Sequence, residues 1–199
     1  MPAQLPASQP SVIPLSLNGV GVNALMRPRL SLFWGAHTPT RALLTLATAL
    51  AARGHAPRVY DGGNRFDGYY IARLARRASA RPQELLERIR LSRAFTCFQL
   101  AELIETTPAS PEPLILLDVL NTFYDESVPL REAEYLLDTS LAQLRLLAAS
   151  GPVIVGAREP RTPVRERWSL LERLQISADS AWMLRTPEET RSAQLSLFP

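Results

Sequence analysis

The chain has 199 residues, of which 46% are hydrophobic and 21% are charged, and its formal net charge is +3. This balance is typical of a soluble globular protein with one sizeable core, and it permits contact with nucleic acid without requiring it. The sequence has no apolar run of membrane-spanning length, no basic start of a signal peptide and a single cysteine, Cys97. We therefore expect a cytoplasmic protein with no membrane partner, no intrachain disulfide and no metal site.

Short apolar runs alternate with longer amphipathic segments along the chain, which is the pattern of parallel strands joined by crossover helices. The sequence therefore predicts an α/β fold with a parallel sheet and helices on both faces. Six strands are predicted, over residues 30–34, 58–61, 89–92, 114–118, 153–157 and 181–184. Five helices are predicted, over residues 40–53, 68–78, 97–105, 130–149 and 164–174.

The two ends of the chain differ from its middle in composition. Residues 1–25 and 186–199 are rich in Pro, Ser, Thr and Gln, which predicts a disordered or extended arm and a flexible tail. Between them no linker is long enough to separate two domains. Residues 26–185 are therefore expected to form one core domain.

The residues that follow the predicted strands are candidates for a site, because ligands of open parallel sheets bind beyond the carboxyl ends of the strands. Residues 35–42 follow the first strand, residues 61–66 follow the second, and the fourth ends at Asp118. In order and spacing, these segments and the turn at residues 93–96 resemble the ATPase core of the RecA and RadA recombinases. The resemblance runs from about residue 30 to residue 157 and implies a RecA-like core.

The resemblance implies a nucleotide site at this edge, of which a remnant survives at Gly35, Thr40, Arg41, Asp61 and Asp118. A P-loop needs a lysine on the β and γ phosphates and a hydroxyl on magnesium. All 22 basic residues of this chain are arginine, and the two positions hold Arg41 and Ala42. The carboxylate that activates water in the family falls on Gly63. We therefore expect an inactive ATPase fold with no catalytic residue and no cofactor, and residual ATP binding is the alternative.

The last residues of the chain return abruptly from polar to apolar side chains. The segment Gln194, Leu195, Ser196, Leu197 and Phe198 resembles the pentapeptide by which bacterial replication and repair proteins dock on the sliding β clamp. The Gln194 amide can both donate and accept hydrogen bonds, while Leu197 and Phe198 are adjacent apolar anchors. The resemblance implies the clamp as a partner. The alternative is that Leu197 and Phe198 fold back onto a groove of the core.

A group of arginines follows the fifth predicted strand, where recombinases carry a DNA-contacting loop. Its members are Arg158, Arg161, Arg165 and Arg167. Guanidinium groups suit bidentate contact with phosphate, which makes these arginines DNA-binding candidates. The alternative is a solvated helix face, because Glu159, Glu166 and Glu172 are interleaved with them.

Together, a RecA-like core without catalytic groups and a clamp-binding tail predict a non-catalytic accessory protein of bacterial DNA repair or translesion synthesis. This combination is similar to the ImuA family, which implies a polymerase-like partner. Two alternatives stay open at this point. One is a RecA-family ATPase with an aberrant P-loop in which Arg41 replaces the lysine, and the other is a recombinase-paralogue scaffold for an active ATPase subunit.

Overall fold

The structure is a computed structural model that describes residues 16–17, 20–161 and 166–184. Its strands are β1 (Ser16–Leu17), β2 (Val20–Gly21), β3 (Arg29–Gly35), β4 (Arg58–Asp61), β5 (Arg90–Arg93), β6 (Leu114–Leu117), β7 (Pro152–Arg158) and β8 (Ser180–Leu184). Its helices are α1 (Val22–Leu25), α2 (Thr40–Ala52), α3 (Gly68–Ala78), α4 (Pro82–Glu87), α5 (Cys97–Glu105), α6 (Leu130–Ser150) and α7 (Trp168–Ser177). A 3-10 turn, Val119–Asn121, follows β6.

Six of the strands form one sheet in the order β5-β4-β6-β7-β3-β8, and β1 pairs with β2 separately. Every neighbouring pair in the six-stranded sheet is parallel. Parallel neighbours need crossover connections, and the helices between the strands supply them. The predicted α/β fold with a parallel sheet and helices on both faces is confirmed.

The buried strands send alternate side chains into two apolar layers. On one face of the sheet, Leu32 and Leu116 pack in a cluster with residues of α5, α6 and α7. On the other face, Phe33 and Leu117 pack with residues of α1, α2 and α3. Because the central strands are covered on both faces, their backbones are fixed, and so are the starting points of the loops at their carboxyl ends.

The main differences from the sequence prediction concern three helices, while most other bounds shift by one residue. Helix α4 was not predicted, because its six residues are too few for a helical period to stand out. Helix α1 places Val22 and Leu25 in the core, so the packed part begins inside the segment 1–25 assigned to an arm. The last helix is Trp168–Ser177, shifted toward the C-terminus from the predicted 164–174, and the predicted tail at 186–199 lies outside the described residues. None of the helices in the described segments combines the length and apolar character that crossing a membrane needs.

Arg167 is buried at the start of α7. Its Nη1 donates a hydrogen bond to the Phe123 carbonyl oxygen at 2.7 Å, and its Nη2 donates to the Val128 carbonyl oxygen. The guanidinium thereby satisfies buried backbone acceptors in the segment that leads into α6. The prediction that Arg167 contacts DNA is corrected, because its donors are engaged inside the protein.

Arg167→Met should lower the free energy of unfolding by roughly 2 to 4 kcal/mol, because it leaves two carbonyl oxygens without their donor. Urea denaturation followed by circular dichroism measures the change. Arg173→Met is the matched control, since Arg173 lies on the same helix but pairs with Glu134 and Asp138 at the surface. We expect a smaller loss for the control, and equal losses in the two variants would contradict this account of Arg167.

Candidate functional site

The loops that follow four strands of the sheet meet at its carboxyl edge. Gly35 ends β3, Asp61 ends β4, and Arg158 ends β7, while Asp118 directly follows β6. The Glu159 N–H after β7 donates to the Gly35 carbonyl oxygen at 2.9 Å, and the Gly62 N–H after β4 donates to the Leu117 carbonyl oxygen at 3.1 Å. These bonds join neighbouring loops in pairs, as expected of a site at this edge.

Asp61 organises the loop between β4 and α3. Its side chain is fully buried, and its Oδ1 accepts backbone N–H bonds from Gly63 at 3.3 Å and Arg65 at 2.8 Å. Its Oδ2 accepts from the Phe66 N–H at 2.9 Å and pairs with Arg93 Nε at 3.5 Å. These bonds to three backbone N–H groups hold the loop after β4 in place.

Asp118 lies between two arginines. The residue is fully buried and adopts the left-handed backbone conformation, with φ 50° and ψ 50°. Its Oδ2 accepts from Arg65 Nε at 3.1 Å and lies 3.5 Å from Arg158 Nε. Both arginines come from other segments, 53 residues before and 40 residues after Asp118 in the chain, and neither pair could be predicted from local sequence. The buried Asp118 carboxylate is therefore neutralised by two guanidinium groups.

The place predicted for the catalytic carboxylate has no room for a side chain. A Cβ atom on Gly63 would lie 2.6 Å from Asp118 Cβ and 2.8 Å from Asp118 Oδ2. Those distances are well inside van der Waals contact, so any larger residue would displace Asp118 from its arginines. Glycine at this position is thus a steric requirement of the Asp118 pairs.

The loop between β3 and α2 lacks the groups that hold phosphates in a P-loop. Pro39, at the N-terminus of α2, has no N–H, and the Thr40 N–H donates to the Thr38 carbonyl oxygen at 2.8 Å. The Arg41 guanidinium lies over the Tyr70 ring of α3, 5.8 Å from the ring centroid. Arg41 is therefore directed at an aromatic side chain of α3 and does not line the cleft beside this loop.

A cleft of about 360 Å³ opens where the β3 and β7 loops meet. It is lined by Ala36, His37, Thr38, Arg65, Arg158, Glu159 and Arg161. Three guanidinium groups and one carboxylate give it an excess of positive charge, which suits an anion. Within the described residues, no cluster of three or more metal-ligating side chains occurs.

Tyr124 is a buried residue that contacts Arg158, one of the residues lining the cleft. Burial raises the pKa of the Tyr124 hydroxyl, and the charge of the nearby Asp118 carboxylate raises this pKa further. The phenol therefore stays protonated and donates to the Arg158 carbonyl oxygen at 2.9 Å. Arg158 is held at both ends, since its Nη2 also donates to the Asn121 Oδ1.

The predicted DNA-binding arginines are distributed over different environments. Arg158 and Arg161 line the cleft, Arg167 is buried, and Arg165 lies outside the described residues. The predicted clamp-binding residues, Gln194 to Phe198, also lie outside the described residues.

Three residues that line the cleft, His37, Arg65 and Glu159, were not predicted as site residues. No local pattern identified Arg65, because its partner Asp118 is 53 residues away in the chain.

The excess of guanidinium groups suits the cleft to an anion. Asp61 and Asp118, the buried acids at the edge, are both engaged with arginines. No protein-family model matches this chain, and no curated protein matches it either.

Asp118→Asn should lower the free energy of unfolding by roughly 1 to 3 kcal/mol, because it leaves the partly exposed Arg65 and the mostly buried Arg158 without their counter-charge. Chemical denaturation of the wild type and the variant measures this loss. Glu159→Gln is the control, since it removes one negative charge from the same cleft without touching the Asp118 pairs. An Asp118→Asn variant as stable as wild type, or more stable, would instead fit an acid retained for metal binding at a cost in stability.

Proposed function

We propose that this chain is a non-catalytic RecA-like accessory protein of bacterial DNA repair or translesion synthesis, of the ImuA type. In this proposal the core serves as a binding module. The C-terminal segment Gln194 to Phe198 tethers it to the sliding β clamp, and a polymerase-like protein and DNA are further partners. The observation that carries the proposal is the state of Asp118, which two arginines neutralise at the edge where a RecA-type ATPase binds magnesium and nucleotide.

Three observations support the absence of hydrolysis. The position of the catalytic carboxylate is Gly63, and a side chain there would collide with Asp118. Ala42 has no oxygen for magnesium. Arg41, which could have replaced the P-loop lysine, lies against Tyr70. This last contact also weighs against the alternative of an active ATPase with an aberrant P-loop.

The clamp tether is supported by the sequence of the tail. Residues 186–193 are polar, and the apolar pair Leu197 and Phe198 stands at the end of this tether. A short extended peptide with two adjacent apolar anchors binds by inserting both into one pocket, so most of its free energy of binding comes from those two side chains. A protein held at the clamp in this way needs no catalytic activity of its own to bring a partner to DNA.

Leu197→Ala and Phe198→Ala should each weaken clamp binding by on the order of 1 to 3 kcal/mol, because each removes an anchor. Ser196→Ala should have little effect and is the matched control inside the same peptide. Isothermal titration calorimetry of the full chain against a purified bacterial β clamp gives the affinities. Equal affinity for the full chain and for a chain lacking residues 194–199 would contradict the tether. So would a large fall in the melting temperature of the truncated chain, which would indicate a tail folded back on the core.

The purified protein should not hydrolyse ATP with magnesium, because it lacks the base, the magnesium ligand and the phosphate-binding lysine. A phosphate-release assay tests this, with Asp118→Ala as the variant that separates real turnover from contamination. Turnover that persists in Asp118→Ala comes from a contaminant. Magnesium-dependent turnover that disappears in that variant would establish an active ATPase and contradict the proposal.

A further inference from the structure

The positive charge of the chain is concentrated in one segment. Residues 65–93 contain eight arginines and three carboxylates, so this segment alone carries a charge of +5. The rest of the chain contains 14 arginines and 16 carboxylates and is slightly negative. Such separation of charge marks a surface for a polyanion better than the overall charge does.

The fold gathers this segment at one edge of the sheet. Strand β5 is the outermost strand beyond β4, and α3 and α4 pack together on the adjoining face. The Arg93 guanidinium lies 5.8 Å from the centroid of the Phe66 ring. This contact joins the end of β5 to the loop that enters α3. We call the exposed residues of α3, of β5 and of the turn after β5 the basic edge. Its principal members are Tyr69, Arg73, Arg76, Arg90, Arg93 and Phe95.

Helix α3 presents an aromatic ring and two guanidinium groups on one exposed face. Tyr69, Arg73 and Arg76 follow the spacing i, i+4, i+7, while Ile71 and Ala75 are the buried residues of the helix. The Tyr69 side chain is 93% exposed. The first turn of α3 thus exposes the Tyr69 ring to solvent, and Arg73 and Arg76 follow it on the same face of the helix.

Of the four arginines named in the basic edge, Arg93 pairs with Asp61, and the other three are not neutralised by a carboxylate of the described residues. Among the described residues, no ion pair forms at Arg73, Arg76 or Arg90. Arg73 lies over the Tyr70 ring at 5.5 Å, a contact that holds the cation without cancelling its charge. Unpaired cations at this density repel one another, and the phosphates of a bound polyanion would remove that repulsion.

A second exposed ring stands at the end of β5. Phe95 is 69% exposed, and its backbone N–H is fixed by Gln99 Oε1 at 2.9 Å. Proteins bind single-stranded nucleic acid with two kinds of group, exposed aromatic rings and cations. Bases stack on the rings, while the cations contact the phosphates. Duplex nucleic acid has its bases stacked internally and would leave Tyr69 and Phe95 unused.

We propose that the basic edge is a binding surface for single-stranded nucleic acid. Arg73, Arg76 and Arg90 contact successive phosphates, and Tyr69 and Phe95 stack on bases. This surface is distinct from the predicted DNA-binding arginines after β7, and it does not depend on the clamp tether. Binding is therefore expected to be indifferent to sequence and to weaken steeply with salt.

The test uses fluorescence anisotropy of a labelled oligothymidylate titrated with the full chain at several salt concentrations. Arg76→Gln with Arg90→Gln should make the slope of log K against log salt shallower by about 1.4, since each lost phosphate contact on a single strand contributes roughly 0.7. Tyr69→Ala should weaken binding roughly 5- to 150-fold, the range for one stacked base. The loss in Tyr69→Ala should be similar at every salt concentration, because stacking releases no counterions.

The controls remove the same groups from elsewhere on the surface. Arg53→Gln with Arg131→Gln removes two exposed arginines, one at the end of α2 and one in α6. Tyr135→Ala removes a tyrosine of α6 that is 68% exposed. Neither control should change the affinity or the salt slope appreciably. Losses as large in the controls as in the basic-edge variants would assign binding to net charge alone and overturn the proposal.

Three further probes decide the class of ligand. An oligouridylate that binds as well as the oligothymidylate, or better, supports the single-strand proposal and identifies RNA as a ligand. Preference for a DNA duplex, or for anionic vesicles of phosphatidylserine and phosphatidylcholine, would overturn it. So would the absence of binding to either single strand at low salt. Removal of residues 194–199 leaves this test unchanged, so failure here is distinguishable from failure of the clamp proposal.

Discussion

The buried carboxylate of Asp118 is the point on which the carboxyl edge of this sheet depends. A charge in a low-dielectric interior is tolerated only when it is paired, and Asp118 finds its partners on two different loops, at Arg65 and Arg158. This interaction joins the segments that follow β4, β6 and β7. It also explains Gly63, which must lack a side chain for Asp118 to keep its position. One ion-pair network thus fixes the three loops at this edge.

Because the chain has no lysine, every basic partner in the Asp118 network is an arginine. A guanidinium group is planar, carries several donors and can bond to a carboxylate and a backbone or amide oxygen at once. Arg158 does this with Asp118 and Asn121, and Arg167 does it with two backbone carbonyls. The arginines near the carboxyl edge are therefore largely structural, while Arg73, Arg76 and Arg90 of α3 and β5 are exposed to solvent. This division explains why a chain with a modest net charge has a strongly basic surface at one place.

The elements of the fold could be predicted where the local signal was strong. Strand β4 and helices α3 and α5 have the predicted bounds, because each is delimited by a polar or capping residue such as Asp67 or Thr96. Helix α4 could not be predicted from six residues that begin at a proline. The strand ends located Asp61 and Asp118, yet their partners could not be predicted, since the ion pair of Arg65 with Asp118 spans 53 residues. Arg167 shows the same limit: the four arginines after the fifth strand look alike in sequence, and only packing separates the buried one.

A double-mutant cycle on Asp118 and Arg65 tests the central claim most directly, because it isolates the interaction between the two side chains. The free energy of unfolding is measured for the wild type, Asp118→Asn, Arg65→Met and the double variant, each with and without magnesium and ATP. We expect a coupling of about 0.5 to 2 kcal/mol, within the range for neighbouring charged groups and reduced by the partial exposure of Arg65, and we expect nucleotide to leave it unchanged. Additive losses would contradict the claim, and so would a coupling that disappears when magnesium and ATP are added.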